Sequence, residues 1–430
     1  LAAEIQQGSA GKDYLQQTAK NPELGLLPPT VNLSAYQSVE NRPHQRSDLA
    51  IAVAASGGGY RAANLTAGVL AGLEQITDPS LKGNLLEEVD YFSTVSGGGF
   101  GVGYYLAGLY HFQQLHGSGP FTPQFSFVDT LSKMPLDNAL SKDYTGDLFF
   151  TDNRSSLIEE SLANSVLAIQ QGTLTLGDIF IPNTAPATEV KLPFWVTNST
   201  IYQNAALLPF TPGVLKKYAV NEYQYQGHIH HLSHQDYQAL PVAVGMTASA
   251  SFPFALTPIT LGSQGCVKKR ECYLQLLDGG LADNLGVYTA IDLLRQDPAP
   301  TKILLVIDAY TGPDQPFSAR KTPPSGTTLF WRVLGMGSDA SRQIIRQQLQ
   351  RYAKDTLCHG KTKNVLVIYM DLANYQRAQA ISTGLYISPE EQQLLFKVGQ
   401  DLVKQNPAFD KQLRPLVEGQ RAVAQCSDQP

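Results

Sequence analysis

The hydrophobic pattern near the amino end of the chain contains two strand–turn–helix units. The first begins with the apolar run DLAIAVAAS, which predicts a buried strand over residues 48–55. The next segment, RAANLTAGVLAGLEQI, carries apolar residues on one helical face, at Leu65, Val69, Leu70 and Leu73. The second unit is the strand VDYFSTV, which leads to Ser96, and the helix GFGVGYYLAGLYHFQQ. Strand, glycine-rich turn and helix in repeated order predict an α/β fold with a parallel sheet.

Further apolar runs extend this sheet towards the carboxyl end. They are KLPFWVTNS, CYLQLLDGG, KILLVIDAY and NVLVIYMDL, with helical stretches between them. Composition marks no sharp boundary, although segment 311–328 is rich in Pro, Gly and Ser and is the best linker candidate. We therefore expect an extension packed on the core (1–48), the core itself (49–310) and a carboxyl-terminal α/β portion of the same domain (311–430).

Composition and charge narrow the class of function. A chain of 430 residues with 43% hydrophobic content is long enough for one large domain or two ordinary ones. A net charge of −5 without a basic stripe argues against a nucleic-acid partner. No apolar run approaches the roughly 18–20 residues of a membrane-spanning helix. The chain begins with Leu1, which suggests processing, and we expect a secreted, periplasmic or membrane-associated protein rather than a cytoplasmic one.

Ser96 is the candidate nucleophile. A strand that turns at once into a helix lifts a serine hydroxyl out of the sheet, and this tight turn needs small neighbours such as Gly97 and Gly98. The helix that follows directs its first amides and its positive dipole end towards the group that the serine attacks. The N–H of Gly97 is then the natural first donor to an oxyanion.

The earlier stretch SGGGYRAA has a different predicted role. Gly57, Gly58 and Gly59 lack Cβ atoms and leave their N–H groups open to close approach, which makes an anion-binding nest. If this loop faces Ser96, it completes an oxyanion hole. A nucleotide-binding loop of the G-x-x-x-x-G-K-[ST] type is excluded because no lysine follows the glycines.

A third segment, LLDGGLADNLGV, ends an apolar strand at Asp278. A carboxylate at a strand end, next to two glycines, is well placed to act as a general base. The alternative is an ordinary Asp-Gly turn.

Together these segments resemble the patatin-like phospholipase family over roughly residues 48–310. The resemblance consists of G-G-G-x-R, a serine elbow and a downstream D-G-G, and the form S-G-G-G-x-R-A is similar to the cytosolic phospholipase A branch. TASASFPFALTP and TLTLGDIF also resemble family segments. The resemblance implies a three-layer α/β fold with a central, mostly parallel sheet flanked by helices.

The resemblance also implies a chemistry, a Ser–Asp dyad that uses neither histidine nor a metal or cofactor. Ser96 takes the role of nucleophile, Asp278 that of base, and glycines 57–59 form the oxyanion loop. Arg61 matches the family arginine that helps hold the anionic substrate or transition state, with a surface or helix-capping arginine as the alternative. The implied substrate is a phospholipid or related lipid ester, met at a membrane or micelle surface.

One position departs from the family pattern. The elbow of the family is G-x-S-x-G, but Thr94 stands two residues before Ser96. A β-branched residue crowds the strand–helix crossing, so a non-catalytic lipid-binding or effector protein that keeps the fold remains an alternative.

The segment GHIHHLSHQD contains four histidines, at positions 228, 230, 231 and 234. Clustered histidines suggest a metal site, and a second interpretation recruits one of them into a Ser–His–Asp hydrolase. Irregular spacing and the D-G-G motif favour a polar surface loop instead.

Two further features remain open at this stage. Cys266 and Cys272 flank a short polar loop and are candidates for a disulfide, with four unpaired cysteines as the alternative. The insert 117–177 is rich in apolar side chains and is interpreted either as a mobile cap over the Ser96 pocket or as part of the core. Its large apolar residues are Phe121, Phe125, Phe127, Leu148, Phe149 and Phe150.

Overall fold

The computed structural model describes residues 30–37, 46–81, 83–117, 123–133, 136, 154–169, 172–185, 190–233, 236–253, 255–265, 272–311, 326–419 and 426. The strands are β1 (Leu49–Ala55), β2 (Tyr91–Thr94), β3 (Ala168–Ile169), β4 (Gly172–Thr173), β5 (Phe194–Ile201), β6 (Leu207–Phe210), β7 (Val220–Tyr225), β8 (His228–His231), β9 (Ile259–Ser263), β10 (Cys272–Asp278), β11 (Thr301–Asp308) and β12 (Asn364–Asp371).

The α-helices are α1 (Gly59–Glu74), α2 (Gly97–His116), α3 (Phe127–Lys133), α4 (Arg154–Ser161), α5 (Leu176–Ile179), α6 (Pro212–Lys217), α7 (Val242–Ala250), α8 (Gly280–Asp283), α9 (Val287–Gln296), α10 (Gly326–Leu357), α11 (Gln376–Gln379), α12 (Pro389–Lys404) and α13 (Arg414–Val417). Short 3-10 turns cover Leu33–Ala35 and Tyr237–Ala239, and π-helical turns cover Leu162–Val166 and Phe409–Leu413.

One mixed sheet of ten strands forms the centre, in the order β12-β11-β1-β2-β5-β10-β9-β7-β8, with β6 paired to β5. The strands from β12 to β5 are parallel to one another, and the pairs from β5 through β8 are antiparallel. Strands β9 and β8 run in the same direction as the five parallel strands, because two antiparallel pairings restore the direction. Seven of the ten strands therefore share one direction, and the sheet is mostly parallel, as predicted. Every residue of β1 is buried, as expected of a parallel strand covered on both faces.

Helices cover both faces of the parallel part of the sheet. Helix α1 packs against α2 and α12, while α9 lies against β1, β2 and β11 and contacts α10. Right-handed crossovers explain the two layers, because the chain moves from β1 to β2 through α1 and returns past β1 to β11 through α9. The result is the three-layer α/β fold that the sequence predicts.

The carboxyl-terminal portion belongs to the same core. Strand β12 extends the sheet beyond β11, and α12 packs tightly on α1. A Cβ atom on Gly68 of α1 would lie 2.2 Å from the carbonyl oxygen of Phe396 in α12, so the two helices approach backbone to backbone. The described part of the amino-terminal extension, residues 30–37, also packs on the core, with Val31 and Tyr36 buried.

The structure contains a disulfide that the sequence analysis did not consider. A disulfide joins Cys358, just after α10, to Cys426. That pair was not foreseen, because 68 positions of sequence separate its members. Cys272 is also disulfide-bonded, so four unpaired cysteines are excluded, while Cys266 lies outside the described residues.

Two aromatic residues of the insert belong to the core rather than to a cap. Phe127 is fully buried, and its ring meets that of Tyr105 edge-on at 5.3 Å. The carboxylate of Glu74 accepts the N–H groups of Phe127 and Val128 and so fixes the start of α3 to the end of α1. Phe125 packs against the same helix, α2, at 5.5 Å from the ring of Phe112. Phe121, Leu148, Phe149 and Phe150 lie outside the described residues.

Within the described ranges, no helix is both long enough and apolar enough to cross a bilayer.

Candidate active site

Ser96 lies at a sharp elbow between β2 and α2. Its φ of 49° and ψ of −128° belong to a region that residues with a side chain rarely adopt. Its N–H donates to the hydroxyl of Ser249 at 2.9 Å, which helps to hold this strained turn. The side chain is half-buried at the amino end of α2, at the strand–helix turn that the sequence predicts.

The two glycine-rich segments meet at this elbow. A Cβ atom on Gly97 would lie 1.9 Å from the carbonyl oxygen of Gly59, and one on Gly98 would lie 2.6 Å from that of Ser56. Both distances are far below van der Waals contact, so only glycine is tolerated at these positions. The segments are therefore parts of one arrangement, in which α1 and α2 begin side by side.

The departure at Thr94 is accommodated by glycines on the facing helix. The Thr94 hydroxyl accepts a hydrogen bond from the indole N–H of Trp195 at 2.9 Å. A Cβ atom on Gly99 would lie 3.1 Å from that hydroxyl, and one on Gly103 would lie 2.9 Å from the Trp195 ring. The glycines of α2 have no side chains at these contacts, and this leaves room for Thr94 and its partner Trp195 at the elbow.

Strand register brings Asp278 level with Ser96. Thr94 on β2 pairs with Thr197 on β5, and Asp278 on β10 pairs with Ser199, two positions further along β5. Ser96 is likewise two positions beyond Thr94. The Ser96 side chain is near enough to the Asp278 carboxyl to lower the pKa of that carboxyl.

The Asp278 carboxyl is 5% exposed, and its burial raises its pKa to about 6. The hydrogen bond from the N–H of Gly280, at 2.7 Å, and the nearby Ser96 side chain both oppose this shift. Burial dominates because it removes water from the ionised form. The result is a carboxylate that is ionised at neutral pH yet more basic than an exposed aspartate.

A buried polar network centred on Asn198 joins the strands that carry Ser96 and Asp278. The side-chain amide of Asn198 donates to the hydroxyl of Ser93 at 2.9 Å and to the carbonyl of Thr94 at 3.1 Å. Its oxygen accepts from Thr289 at 2.6 Å, and its backbone carbonyl accepts from the Ser249 hydroxyl, also at 2.6 Å. Sequence reasoning missed this network. The available signal was the run of polar residues at the end of the apolar strand FWVTNS.

The loop of Gly57, Gly58 and Gly59 lies beside Ser96. A Cβ atom on Gly57 would be 3.3 Å from that of Ser96, but the N–H of Gly57 donates to the carbonyl of Asn284 at 3.1 Å. Gly58 and Gly59 have φ values of 145° and 58°, which favour glycine. The N–H groups of Gly58, Gly59 and Gly97 stand at the first positions of helices, where no intrahelical acceptor exists.

Arg61 packs against the glycine loop and anchors it to the rest of the core. It is 3% exposed, and it donates to the carbonyls of Ala309 at 2.8 Å and Ile381 at 2.9 Å. Burial lowers its pKa to about 10, while the nearby Asp308 carboxylate acts in the opposite direction. Neither the surface nor the helix-capping alternative describes this position. Its two bonded nitrogens connect α1 to the backbone after β11 and to the carboxyl-terminal portion.

Ser56, the serine of the first glycine-rich segment, is buried and structural. Its hydroxyl accepts the N–H of Ala309 at 2.8 Å and lies 3.2 Å from the carbonyl of Gly57, to which it donates. It therefore ties the end of β1 to the end of β11.

The histidines lie away from this site. His228, His230 and His231 form part of β8, so the predicted loop is wrong for these three, although they are exposed as predicted. Strand β8 is the third strand beyond β10 in the sheet, about 14 Å away at the usual strand spacing. His234 is not among the described residues, and in the part that is described no group of three or more His, Cys, Asp or Glu is arranged to hold a metal ion.

Comparison with solved structures gives distant similarities. Human GIVD cytosolic phospholipase A2 has 14% identity and a TM-score of 0.30, over 67% of this chain and 46% of its own. Its complex with methyl gamma-linolenyl fluorophosphonate and terbium chloride has 14% identity and a TM-score of 0.34, over 67% and 44%. VipD from Legionella pneumophila has 12% identity and a TM-score of 0.31, over 87% and 70%. The chain thus spans less than half of the human enzyme.

A search of the curated proteins gave no match. A family model described as patatin-like phospholipase matches residues 53–291, which is more than half of the chain. This range contains the elbow, the glycine loop and the aspartate strand. The chain belongs to the patatin-like phospholipase family.

Proposed function

We propose that the protein is a serine hydrolase that cleaves acyl ester bonds of phospholipids or related lipids. The observation that carries the proposal is the strand register that brings the Ser96 elbow beside the buried Asp278 carboxyl. Family membership supports a lipid ester as the substrate class. We expect the substrate to be met at a membrane or micelle surface, since lipids with long acyl chains are aggregated in water.

In the proposed reaction, the Ser96 hydroxyl oxygen attacks the ester carbonyl carbon while the Asp278 carboxylate takes the hydroxyl proton. The carbonyl oxygen becomes an oxyanion and accepts hydrogen bonds from the N–H groups of Gly58, Gly59 and Gly97. The intermediate then expels the alcohol, which receives the proton from Asp278. Water, deprotonated by the same carboxylate, hydrolyses the acyl-enzyme and restores the free serine.

An aspartate alone can serve as base here because burial raises its pKa to about 6. A base with a pKa near the working pH combines ionisation with useful basicity. Gly57 is assigned a steric role rather than an oxyanion role, since its N–H already bonds Asn284. Arg61 is assigned to the positioning of the loop.

Two alternatives make different predictions. A non-catalytic lipid-binding protein would bind vesicles without releasing fatty acid. A Ser–His–Asp hydrolase would need an imidazole, and the three described histidines of β8 are far from Asp278 in the sheet order.

Hydrolysis of phosphatidylcholine vesicles, followed by mass spectrometry of the released fatty acid and lysolipid, tests the proposal. We expect the native protein to release both products and Ser96→Ala to release none. Combined replacement of His228, His230, His231 and His234 by Ala should leave the rate within about threefold, whereas the loss of a general base would lower it about 10²–10⁴-fold. Vesicle binding without product would support the lipid-binding alternative, and loss of activity in the histidine variant would support the Ser–His–Asp alternative.

A further inference from the structure

The hairpin of β7 and β8 presents two histidines on one face of an exposed strand. All four residues of β8 are exposed, and β8 is the last strand of the sheet order. Side chains alternate along a strand, so His228 and His230 share one face, while His231 lies on the other. On that other face, the Nδ1 atom of His231 is 3.4 Å from a carboxylate oxygen of Glu222.

The His230 ring is oriented towards the His228 end of the hairpin. It stacks on Tyr223, its directly paired residue, with ring centroids 5.2 Å apart and an angle of 15° between the planes. Its centroid is also 6.1 Å from the ring of Tyr225, which pairs with His228. Tyr223 is itself buried, so the stacking fixes the plane of His230. Stacking engages the faces of an imidazole and leaves the nitrogens at its edge accessible.

We infer that His228 and His230 form a two-histidine chelate for a divalent transition-metal cation, with water as the remaining ligands. Residues two apart on a strand are separated by about 6.6 Å at Cα, and two imidazole arms of that separation can converge on one ion at Zn–N distances of about 2.0–2.1 Å. Imidazole suits Cu²⁺ and Zn²⁺, and Cu²⁺ binds such ligands more tightly. Hard cations such as Ca²⁺ prefer oxygen ligands and should not bind here.

This site is independent of the proposed hydrolysis. The His230-bearing strand lies three strands beyond β10, so loading the site should not change the environment of Asp278. Hydrolysis in the presence and absence of a chelator should therefore give the same rate.

Titration of the purified protein, without a histidine tag, with Cu²⁺ and with Zn²⁺ tests the inference by calorimetry, with electron paramagnetic resonance for Cu²⁺. We expect one equivalent to bind in the micromolar range, with nitrogen splitting from two imidazoles. His228→Ala and His230→Ala should each weaken binding at least about tenfold, because even the loss of a group that only hydrogen-bonds to a metal ligand costs about 10–100-fold. His231→Ala is the matched control on the opposite face and should leave affinity unchanged.

Equal weakening by all three variants, native affinity in His228→Ala or His230→Ala, or no binding up to millimolar metal would each overturn the inference. Circular dichroism of the variants identifies any loss of fold. These residues are exposed, so we expect native spectra.

Discussion

Gly97 packs so closely on Gly59 that a Cβ atom at Gly97 would lie 1.9 Å from the Gly59 carbonyl oxygen. The contact joins the loop after β1 to the elbow after β2. It brings the amino ends of α1 and α2 together next to Ser96. The geometry of the proposed oxyanion site therefore depends on two missing side chains as well as on the groups that are present.

Gly97→Ala should displace the Gly59 loop and reduce the rate of ester hydrolysis by about 10²–10³-fold, the cost of losing one oxyanion donor. We also expect a loss of about 1–3 kcal/mol in the free energy of unfolding from the overpacked contact. Steady-state kinetics and denaturant unfolding measure the two effects.

Gly108→Ala is the matched control in the same helix, α2. Its Cβ atom would be 3.4 Å from Phe125 and Thr130, which is ordinary contact. This variant should keep its activity, and a native rate in Gly97→Ala would show that the close contact does not set the site.

The pH dependence of hydrolysis should follow the ionisation of Asp278. Burial raises its pKa to about 6, and the proposed base is the ionised form. The value of kcat/KM should therefore fall as the pH drops through about 6 and reach a plateau above it. A profile between pH 4 and pH 9 on a soluble ester checks this. A rate that falls only near pH 4 would argue that the carboxyl is not perturbed.

Asp278→Asn should make the protein less active but more stable at neutral pH. A carboxyl whose pKa is raised on folding stabilises the fold below its unfolded-state pKa of about 3.9, and this contribution is lost as the pH rises through about 6. A shift of about two units corresponds to about 3 kcal/mol at most, a cost that the neutral amide avoids. Denaturant unfolding at pH 8 should show the gain, and at pH 4 it should be small. Lower stability of the variant at pH 8 would contradict this balance.

Substitutions at Arg61 test whether the glycine loop depends on the hydrogen bonds of this side chain or on its positive charge. Its guanidinium bonds two separate carbonyls, those of Ala309 and Ile381, and a lysine ammonium group cannot reproduce that fork. Arg61→Lys and Arg61→Met should therefore reduce kcat to a similar extent while KM on a soluble ester changes little. Substantial rescue by lysine would instead indicate that positive charge acts on the transition state. Arg351→Met, at an exposed ion pair, is the control and should be neutral.

The disulfide between Cys358 and Cys426 should stabilise the carboxyl-terminal portion. It closes a loop across 68 positions, for which chain entropy predicts about 4 kcal/mol. Replacing both cysteines with Ser should lower the free energy of unfolding by about 2–5 kcal/mol. Intact mass before and after reduction establishes the bond, and unfolding curves measure its effect. An unchanged unfolding midpoint would show that this end of the chain contributes little to the cooperative core.

The parallel half of the fold could be predicted because its strands are uninterrupted apolar runs. β1, β11 and β12 begin and end within a residue or two of the predicted limits. The sequence predicts less of the antiparallel half, since β7 is short and only partly buried, β8 is exposed, and a half-solvated hairpin leaves little hydrophobic signal. For this reason the sequence predicts a loop at the histidines of β8.

Single residues of the site followed from local motifs, whereas their partners did not. Ser96 and Asp278 each end an apolar run and are followed by glycines, a local pattern that indicates a turn at the end of a strand. The carbonyls that bond Arg61 come from positions 309 and 381, far away in sequence, and no local pattern reports a backbone acceptor. The accommodation of Thr94 by Gly99 and Trp195 likewise depends on a packing between elements that only the folded chain displays.

Covalent labelling with a fluorophosphonate is the most direct test of Ser96 as the nucleophile, because the reagent reports an activated serine without requiring the natural lipid. We predict one label per chain, mapped by peptide mass spectrometry to Ser96. Ser96→Ala should lose the label, while Ser56→Ala should keep it, since Ser56 is buried and bonded to Ala309. A label that persists in Ser96→Ala, or that maps to another serine in the native protein, would contradict the assignment of Ser96 as the nucleophile.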